Sequence, residues 1–397
     1  MIKKFADDTK VGHVTDSVEE SCRLLEDING LGRNMRTSDW NVTTMGRNLR
    51  AVDWASPFWT IQYINVYYDS MSLDNRIRYA LSGIQVIYYP LLAAVGVSVN
   101  LLTIVILSRG KCGLSKCVTR YLVAMAAADL LVVIIDLILR QIPITYKRQL
   151  FFLRYVPMCN IHAVLLYAVT DCSVWFTVTF TFDRFVAICC QKLKTKYCTE
   201  KTATLLLGTI GLLSCVKNTF WYFMYSSSYN LANDPWFCMV PISVMQSRVW
   251  GVIELLHNIF TPGVPFVLIL LLNAFTVRNI LVASRARRRL RSRSSGESPS
   301  DPEMDSRRKS IILLFVISGN FILLWAVFMV FYIWNRMLWS QYVFVYLPDF
   351  LMELGFMLQL LSCCTNTCIY AVTQTKFRKQ LKNMVKYPFT VIVKFIK

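Results

Sequence analysis

The sequence predicts an all-α membrane protein that forms a bundle of seven transmembrane helices. Hydrophobic residues make up 55% of the 397-residue chain, and the mean hydropathy is +0.43. These values are too high for a soluble protein of ordinary charge content. Seven apolar segments are each long enough to cross the roughly 30 Å hydrocarbon core of a bilayer. Most lysine and arginine residues lie beside these segments rather than inside them, which is typical of membrane spans.

The seven predicted spans differ in how strongly the sequence supports them. The first and sixth contain no charged residue, whereas the fifth holds Glu254 and the seventh holds Asp349 and Glu353 near one end. A buried helix of a soluble protein is the alternative for any single span, but seven in one chain favour the membrane. In chain order, the predicted spans are Ile84–Leu107, Val118–Leu139, Ile161–Phe182, Thr202–Tyr225, Val249–Val277, Ile311–Trp334 and Tyr346–Val372.

The basic residues predict the orientation of the bundle. Lysine and arginine are frequent after the first, third, fifth and seventh spans, and loops of that composition stay in the cytoplasm. The connection 140–154 is also basic and opposes this rule locally. We therefore expect an extracellular N-terminus and a cytoplasmic C-terminus. Because the net charge of +19 lies beside membrane spans, it does not indicate a nucleic-acid partner.

This orientation divides the chain into three regions. Residues 1–83 are polar and roughly charge-balanced, and we expect a disordered extracellular segment there. Residues 84–375 form the seven-helix domain, and residues 376–397 form a cytoplasmic helix and tail. The triplet that begins at Asn41 is a glycosylation acceptor on the required outer side. An unused acceptor is the alternative, because so short a pattern often arises by chance.

Polar residues at similar depths in four spans predict an internal network. Asp129 lies near the middle of the second span, where a charged group costs at least about 2.5 kcal/mol. It should therefore face the bundle interior and find partners. An oxygen-rich cluster suits a sodium ion or a water network, and a purely structural hydrogen-bond network is the alternative. The residues of the predicted cluster are Asn100, Asp129, Ser173, Ser362 and Asn366.

The third span has chemically distinct groups at its two ends. Asp183 and Arg184 end the span, and Cys159 precedes the arginine by 25 residues. That separation corresponds to about 37 Å along a helix, slightly more than the hydrocarbon thickness. The cysteine is therefore expected at the outer face and the Asp-Arg pair at the inner face.

These positions belong to a series of motifs whose order and spacing together are specific. The chain resembles rhodopsin-like (class A) G-protein-coupled receptors over roughly residues 84–385. Within that family, W175-F-T-V-T-F-T-F-D-R-F-V-A-I-C189 and the A-A-A-D sequence are most similar to the orphan branch typified by G-protein coupled receptor 139. The matching features are Asn100, L122-V-A-M-A-A-A-D129, Cys159 with D183-R184-F185, Pro265, Trp325, N366-T-C-I-Y370 and T375-K-F-R-K-Q-L381.

The resemblance implies a receptor of the plasma membrane that activates a heterotrimeric G protein, possibly of the Gq class. It implies a disulfide between Cys159 and Cys238 and a short amphipathic eighth helix after the seventh span. Arrestin and kinases are further implied partners, besides the lipid bilayer. Ser292, Ser294 and Ser295 lie among arginines, where phosphate would alter the local charge. The residues implied for coupling and activation are Asp183, Arg184, Phe185, Asn273 and Tyr370.

Several positions depart from the usual family pattern. Phe185 replaces a tyrosine, and Val327 and Thr367 stand where the sixth and seventh helices usually have prolines. Asn273 takes the place of a tyrosine that meets Tyr370 in the active state. Arg307 lies where an acidic residue often holds the third-helix arginine. Since two arginines repel, we expect no contact between Arg307 and Arg184, so that Asp183 alone holds Arg184.

The outer halves of the spans predict the ligand class. Leu166 stands where amine receptors of the family have an aspartate, which disfavours a monoamine. An apolar cleft with a few polar groups suits an amino-acid-like small molecule or a peptide. Mutual pairing of these groups, without ligand contact, is the alternative. The candidate ligand-binding residues are Arg140, His162, Asp171, Glu254, His257, Asn258, Trp325 and Glu353.

Two other classes of protein are alternatives to the receptor. A transporter or channel is the alternative function, but the two halves of the sequence show no similarity of the kind found in many transporters. An enzyme is not expected, because the sequence contains no metal triad, phosphate loop or nucleophile motif. The only metal that we expect is a sodium ion at Asp129.

Overall fold

The computed structural model describes residues 72–146, 156–223, 247–291, 302–339 and 345–396. Within these ranges every regular element is helical, and seven helices are long and apolar enough to cross a membrane. The predicted seven-helix membrane bundle is thereby confirmed. The membrane helices are α1 (Leu73–Ser108), α2 (Lys116–Tyr146), α3 (Val156–Cys189), α4 (Glu200–Phe223), α5 (Arg248–Asn258, Ile259–Gly263 and Val264–Arg291), α6 (Pro302–Trp339) and α7 (Phe350–Thr373).

The ends of two membrane helices differ from the predicted spans. Helix α1 begins at Leu73 rather than Ile84, so residues 73–83, predicted to be disordered, are helical. The Ser72 hydroxyl accepts a hydrogen bond from the Asn75 amide at this helix start, and Asp74 suits the positive end of the helix dipole. Helix α7 begins at Phe350 rather than Tyr346, because Pro348 disfavours the helical conformation at Leu347 before it.

Two further helices lie at the predicted inner ends of the membrane helices. A short helix, Gln191–Tyr197, connects α3 to α4. Helix α8, Thr375–Ile396, follows α7 after Gln374. An eighth helix is thus present, and it is longer than the short one expected. Phe377 on α8 is fully buried and packs edge-to-face on Tyr370, with 5.9 Å between ring centroids, so this contact seats α8 against α7.

Close contact between α1 and α7 depends on one glycine. A Cβ added at Gly96 would lie 2.8 Å from the Cys364 sulfur and 3.0 Å from a methyl group of Val133. A larger residue would therefore have to push the Cys364 and Val133 side chains aside. This approach lets Asn100 on α1 reach the Cys363 carbonyl on α7 at 2.9 Å.

Irregular segments interrupt α2 and α5. Residues Val133–Gln141 of α2 form a π-helical stretch, and such stretches occur frequently at functional sites. Helix α5 kinks at Thr261, whose φ and ψ of −150° and 104° are not helical. Pro262 follows and disfavours the helical conformation at the residue before it. Both interruptions lie in the predicted outer halves of their helices.

The buried core runs along the bundle. Toward the predicted inner end, Tyr121, Phe180 and Tyr370 are at most 1% exposed and belong to one apolar cluster. Trp325 on α6 and Ile269 on α5 belong to another cluster, which packs against α3. Large side chains such as Leu205 and Leu323, each 73% exposed, point away from the core. Such outward apolar surface fits contact with lipid.

Candidate functional site

The first candidate site surrounds Asp129, which is 2% exposed on α2. The Ser173 hydroxyl on α3 donates a hydrogen bond to one carboxylate oxygen at 2.6 Å. The Asn366 side-chain amide on α7 donates to the other oxygen at 2.7 Å. Among the described residues no lysine, arginine or histidine forms an ion pair with Asp129. A buried carboxylate therefore joins three helices through neutral donors alone.

A further hydrogen bond beside the same cavity joins α6 to α7. The Trp325 indole nitrogen donates to the Ser362 hydroxyl at 3.1 Å, and that hydroxyl donates to the Gln359 carbonyl at 2.6 Å. A cavity of about 10 Å³ lies beside these groups, close to the room that one water molecule needs. Its lining residues are Asp129, Ser173, Thr177, Ile317, Asn320, Phe321, Trp325, Ser362 and Asn366.

Asn100 has a different role from the other four predicted network residues. Its side-chain amide donates to the Gly96 and Cys363 carbonyls, both at 2.9 Å, and it does not line the cavity. Nearby, the Thr367 hydroxyl bonds the Thr103 hydroxyl at 2.8 Å and the Val99 carbonyl at 3.2 Å. These bonds fasten α7 to α1. Thr367, which replaces the usual proline, thus bonds a neighbouring helix.

The lining groups fit a small cation as well as water. Hard monovalent and divalent cations favour oxygen ligands, and this cavity offers the Asp129 carboxylate with hydroxyl and amide oxygens. The carboxylate also supplies the negative charge that no described basic residue balances. The part of the chain that the structure describes contains no group of three or more His, Cys, Asp or Glu residues suited to a metal.

The second candidate site lies at the predicted inner end of α3. Arg184 forms an ion pair with the adjacent Asp183, and its Nε lies 3.0 Å from the carboxylate. A second guanidinium nitrogen donates to the Ser310 hydroxyl on α6 at 3.2 Å. The Cys117 thiol on α2 donates to the other Asp183 oxygen at 3.2 Å. Asp183 and Arg184 therefore connect α2, α3 and α6.

Two of these partners were missed by the sequence reasoning. Ser310, three positions after Arg307, provides a neutral second contact for Arg184. The side chain of Arg307 itself lies outside the described part of the structure. Cys117 lies one residue before the predicted second span, and it is buried. Neither residue type carries a sequence signal strong enough to predict such a contact.

The loop after α3 adds a second thiol to this site. The Cys198 sulfur lies 3.7 Å from the Asp183 carbonyl oxygen, to which the thiol donates. Burial, together with the negative charge of Asp183, raises the pKa of Cys198 to about 12. The thiol is therefore protonated at neutral pH and keeps its donor hydrogen.

The remaining predicted coupling residues are not brought together. Tyr370 is 1% exposed, and its hydroxyl has no hydrogen-bond partner among the described residues. The Asn273 side-chain oxygen on α5 is buried and also lacks one there. Phe185 packs near Phe182, with 6.4 Å between ring centroids. In this conformation Tyr370 contacts Phe377 instead of Asn273.

A first group of predicted ligand residues lies between α3, α4 and α5. Asp171 is 1% exposed and pairs with the Lys217 ammonium at 2.6 Å, while the Asn218 amide donates to the same carboxylate oxygen at 2.6 Å. His257 packs edge-to-face on Tyr167 and Trp221, with centroid separations of 4.9 and 5.4 Å. Asn258 is buried beside His257 in the chain.

A second group of predicted ligand residues lies on α2, α3 and α7. Arg140 pairs with Asp136 at 3.0 Å, one helical turn away, and its guanidinium carbon lies 5.3 Å from the Phe356 ring centroid. The Gln85 amide on α1 donates to Glu353 on α7 at 2.9 Å. A ring nitrogen of His162 lies 2.8 Å from the Ile135 carbonyl oxygen.

The predicted ligand residues therefore do not form one cluster. Trp325 lies deeper, at the Asp129 cavity, and Glu254 on α5 is only partly buried. Sequence reasoning missed Asp136 and Lys217, which neutralise Arg140 and Asp171. Both lie inside predicted spans, where an ionisable residue is itself a sign of function. That signal marks the two residues as candidates, but it does not identify their partners.

Some predicted features lie partly or wholly outside the described residues. Cys159 is 2% exposed and disulfide-bonded, but its predicted partner, Cys238, lies outside the described ranges. The pairing of these two residues stays a prediction. Asn41 and Ser292, Ser294 and Ser295 also lie outside them.

A comparison with known families gives one match that covers more than half of the chain. The family described as 7 transmembrane receptor (rhodopsin family) matches residues 99–370. The matched range begins one residue before Asn100 and ends at Tyr370. It therefore includes both candidate sites and all of the predicted ligand residues.

Proposed function

Because the chain belongs to the rhodopsin family of seven-transmembrane receptors, we propose that it activates a heterotrimeric G protein, of the Gq class, when an extracellular ligand binds. It is a membrane receptor, and a transporter or channel is not favoured by this membership. Members of the family are receptors and generally not enzymes. The ligand we propose is an amino-acid-like small molecule or a peptide. The G-protein class and this ligand class rest on the resemblance described above.

The contact between Arg184 and Ser310 supports the signalling mechanism most directly. It is a single hydrogen bond between α3 and α6, made by an always-charged guanidinium and a neutral hydroxyl. A signalling transition must open an inner cavity between the helices. Opening would break this bond and free Arg184 to contact carbonyl groups of the G protein. Asp183 would hold the arginine in the closed state.

The Asp129 network supports a route from the ligand to this inner site. Trp325 joins α6 to α7 through Ser362, and Asp129 joins α2, α3 and α7. A ligand that binds one of two conformations more tightly shifts the equilibrium toward it. We propose that a sodium ion or water in the Asp129 cavity favours the closed conformation, so that sodium lowers agonist affinity.

The outer polar groups support the ligand proposal. Arg140 and Lys217 are partly exposed, although each pairs with an aspartate, and the Phe356 ring lies beside Arg140. Such surroundings suit a ligand that carries carboxylate and aromatic groups. The Cys159–Cys238 disulfide would hold the second outer loop over this region. Leu166 leaves the usual amine-binding position without a carboxylate.

The remaining proposals concern location and regulation. We place the receptor in the plasma membrane with its N-terminus outside and its C-terminus in the cytoplasm, because basic loops stay inside. Asn41 would then be available for glycosylation. Phosphorylation of Ser292, Ser294 or Ser295 by kinases would change the charge that a G protein or arrestin meets.

The decisive experiment compares variants of the inner site at matched surface expression. The measurement is basal binding of a non-hydrolysable GTP analogue to G proteins in membranes, which needs no known ligand. Asp183→Asn should raise basal exchange, because it removes the charge that holds Arg184. Ser310→Ala should raise it by up to about tenfold, since a hydrogen bond to a charged group contributes about 1.5 kcal/mol.

The arginine must then be required for that increase. Adding Arg184→Ala to Asp183→Asn should return exchange to the level of membranes without receptor. If the double variant signals as strongly as Asp183→Asn alone, Arg184 does not mediate coupling. Substrate flux without nucleotide exchange on any G protein would favour the transporter or channel.

A further inference from the structure

Ser310 on α6 is the partner of Arg184, and it also follows a run of basic residues. The three residues before it are Arg307, Arg308 and Lys309. Arginines two and three positions before a serine are typical substrates of arginine-directed protein kinases, whose carboxylates pair with guanidinium groups in a bidentate way. Arg308 and Lys309 are exposed, and neither forms an ion pair within the described ranges. The sequence around Ser310 therefore has the form of a phosphorylation site.

The register of α6 directs Ser310 toward α3. Leu313, Leu314 and Ile317 are at most 1% exposed, and they follow Ser310 by three, four and seven residues. Residues with this spacing share one face of a helix. Ser310 itself is partly exposed, and its hydroxyl accepts the 3.2 Å hydrogen bond from Nη1 of Arg184. It therefore lies at the edge of the packed face, within reach of both the arginine and the solvent.

Asp183 leaves one side of the Arg184 guanidinium available to Ser310. The carboxylate accepts hydrogen bonds from Nε and Nη2, whereas the only partner of Nη1 among the described residues is the Ser310 hydroxyl. A phosphate on Ser310 would therefore meet Nη1 without displacing Asp183. Asp183 repels a phosphate, but its charge is already paired with Arg184. Arg308 and Lys309 add two positive charges within two residues of Ser310.

We propose that Ser310 is a phosphorylation site and that its phosphate holds α6 against Arg184 in the closed conformation. The serine oxygen attacks the γ-phosphorus of ATP bound to an arginine-directed kinase. The bond from this phosphorus to the β–γ bridging oxygen breaks, ADP leaves, and the hydroxyl proton is released. The phosphoserine carries about −1.5 to −2 charges and three acceptor oxygens at neutral pH. An ion pair then replaces a neutral acceptor, and its effect on signalling rests on the function proposed above.

The position of Ser310 also determines when the kinase can act. Ser310 lies eight residues after Pro302, where α6 begins, and a kinase binds its substrate serine in an extended segment. The closed conformation opposes this unwinding through the bond to Arg184. Opening breaks that bond, and two turns of helix without a packing partner are only marginally stable. Phosphorylation should therefore follow activation and return the receptor to the closed conformation.

The first experiment measures phosphate on Ser310 itself. Full-length receptor in nanodiscs is incubated with ATP and the catalytic subunit of cyclic-AMP-dependent protein kinase, and mass spectrometry quantifies modified Ser310. Asp183→Asn should be modified faster than the wild type, because its Arg184 is held less firmly. Arg308→Gln should lower the rate by about tenfold, since one charge-assisted pair with the kinase is lost. Lys309→Gln, the matched control, loses the same charge at the next exposed position and should keep the rate.

The second experiment measures what the phosphate does. In Asp183→Asn, whose basal exchange is raised, phosphorylation should lower exchange by about tenfold, as one added charge-assisted pair would. In the same background Ser310→Glu should lower exchange relative to the neutral Ser310→Gln. Thermal unfolding should show that phosphorylation stabilises the wild type but not Arg184→Ala. Phosphate elsewhere in the basic loop is excluded because every protein tested carries Ser292→Ala, Ser294→Ala and Ser295→Ala.

The unfolding measurement needs no G protein, so failure of the signalling mechanism would leave it unaffected. Absence of phosphate on Ser310 in both the wild type and Asp183→Asn would overturn the proposal, and so would equal rates for Arg308→Gln and Lys309→Gln. A wild type destabilised by phosphate would show that repulsion from Asp183 prevails over attraction to Arg184. Equal stabilisation of the wild type and Arg184→Ala would place the partner of the phosphate elsewhere. Surface expression and circular dichroism establish that each variant is folded.

Discussion

Asp129 and Asp171 are both almost fully buried, at 2% and 1% exposure, yet their negative charges are balanced differently. Asp129 accepts hydrogen bonds from the neutral groups of Ser173 and Asn366. Asp171 pairs with the Lys217 ammonium and accepts a further bond from Asn218. Both carboxylates join α3 to a neighbouring helix, but only Asp171 has a cation of its own.

This difference separates an adjustable site from a fixed one. An isolated charge in a low-dielectric interior costs several kcal/mol, so Asp129 gains from any cation or proton that reaches its cavity. Asp171 gains little from an added cation, because Lys217 already neutralises it. Asp129 is therefore suited to couple ion binding to conformation, whereas Asp171 and Lys217 are suited to hold α3 and α4 together.

The largest effect should follow from removing the cation of the fixed site. Lys217→Met leaves Asp171 buried without a countercharge and should destabilise the receptor by about 3 kcal/mol. This value is the smallest loss typical of breaking a buried ion pair. We expect the smallest loss because the Lys217 side chain is 34% exposed and therefore partly solvated. Thermal unfolding in lipid nanodiscs measures the loss.

Two further variants separate the charge from the loss of a lysine. Asp171→Asn added to Lys217→Met should recover most of the stability, because no buried charge then remains. Lys201→Met, at an exposed position on the same helix, should unfold as the wild type does. A double variant no more stable than Lys217→Met would show that the ion pair is not the cause.

A smaller effect should distinguish Asp129 as the adjustable site. Sodium at tenfold its dissociation constant should stabilise the wild type by about 1.4 kcal/mol relative to the same concentration of choline. Asp129→Asn should abolish this stabilisation, and Asp171→Asn should retain it. The measurement is again thermal unfolding at constant ionic strength. Sodium stabilisation that persists in Asp129→Asn would leave the network with a structural role only.

The sequence predicted those features that depend on one segment or on a fixed pattern. Apolar length is enough to identify seven membrane helices. Asp183 and Arg184 are adjacent in the chain, so their pairing needs no knowledge of the fold. Asp129, Ser173 and Asn366 lie at comparable depths in their spans, and the structure brings all three together.

The missed features depend on how neighbouring helices are rotated and how far each is shifted along its axis. Apolar length does not fix either quantity. Lys217 meets Asp171 only because α4 presents that position to α3, and Ser310 meets Arg184 only in the observed register of α6. The candidate ligand residues divided into two groups for the same reason. The sequence shows which polar residues lie in the outer halves of the spans, but it does not show which neighbouring helix each of them contacts.

The smallest expected effect tests whether charge or hydrogen bonding makes the Asp171 site rigid. Besides its 2.6 Å contact with Asp171, the Lys217 ammonium lies 3.4 Å from the Thr261 hydroxyl on α5. That length is beyond the usual range for a strong hydrogen bond, so Thr261→Val should cost less than about 0.5 kcal/mol. Valine has nearly the same shape and readily adopts the extended backbone found at Thr261. Thermal unfolding of Thr261→Val and of Lys217→Met in the same nanodiscs measures the difference in stability between the two variants. If Thr261→Val lost as much stability as Lys217→Met, the hydroxyl contact with α5, rather than the charge of Lys217, would hold the three helices together. The contrast between Asp129 and Asp171 would then have to be explained without the ion pair.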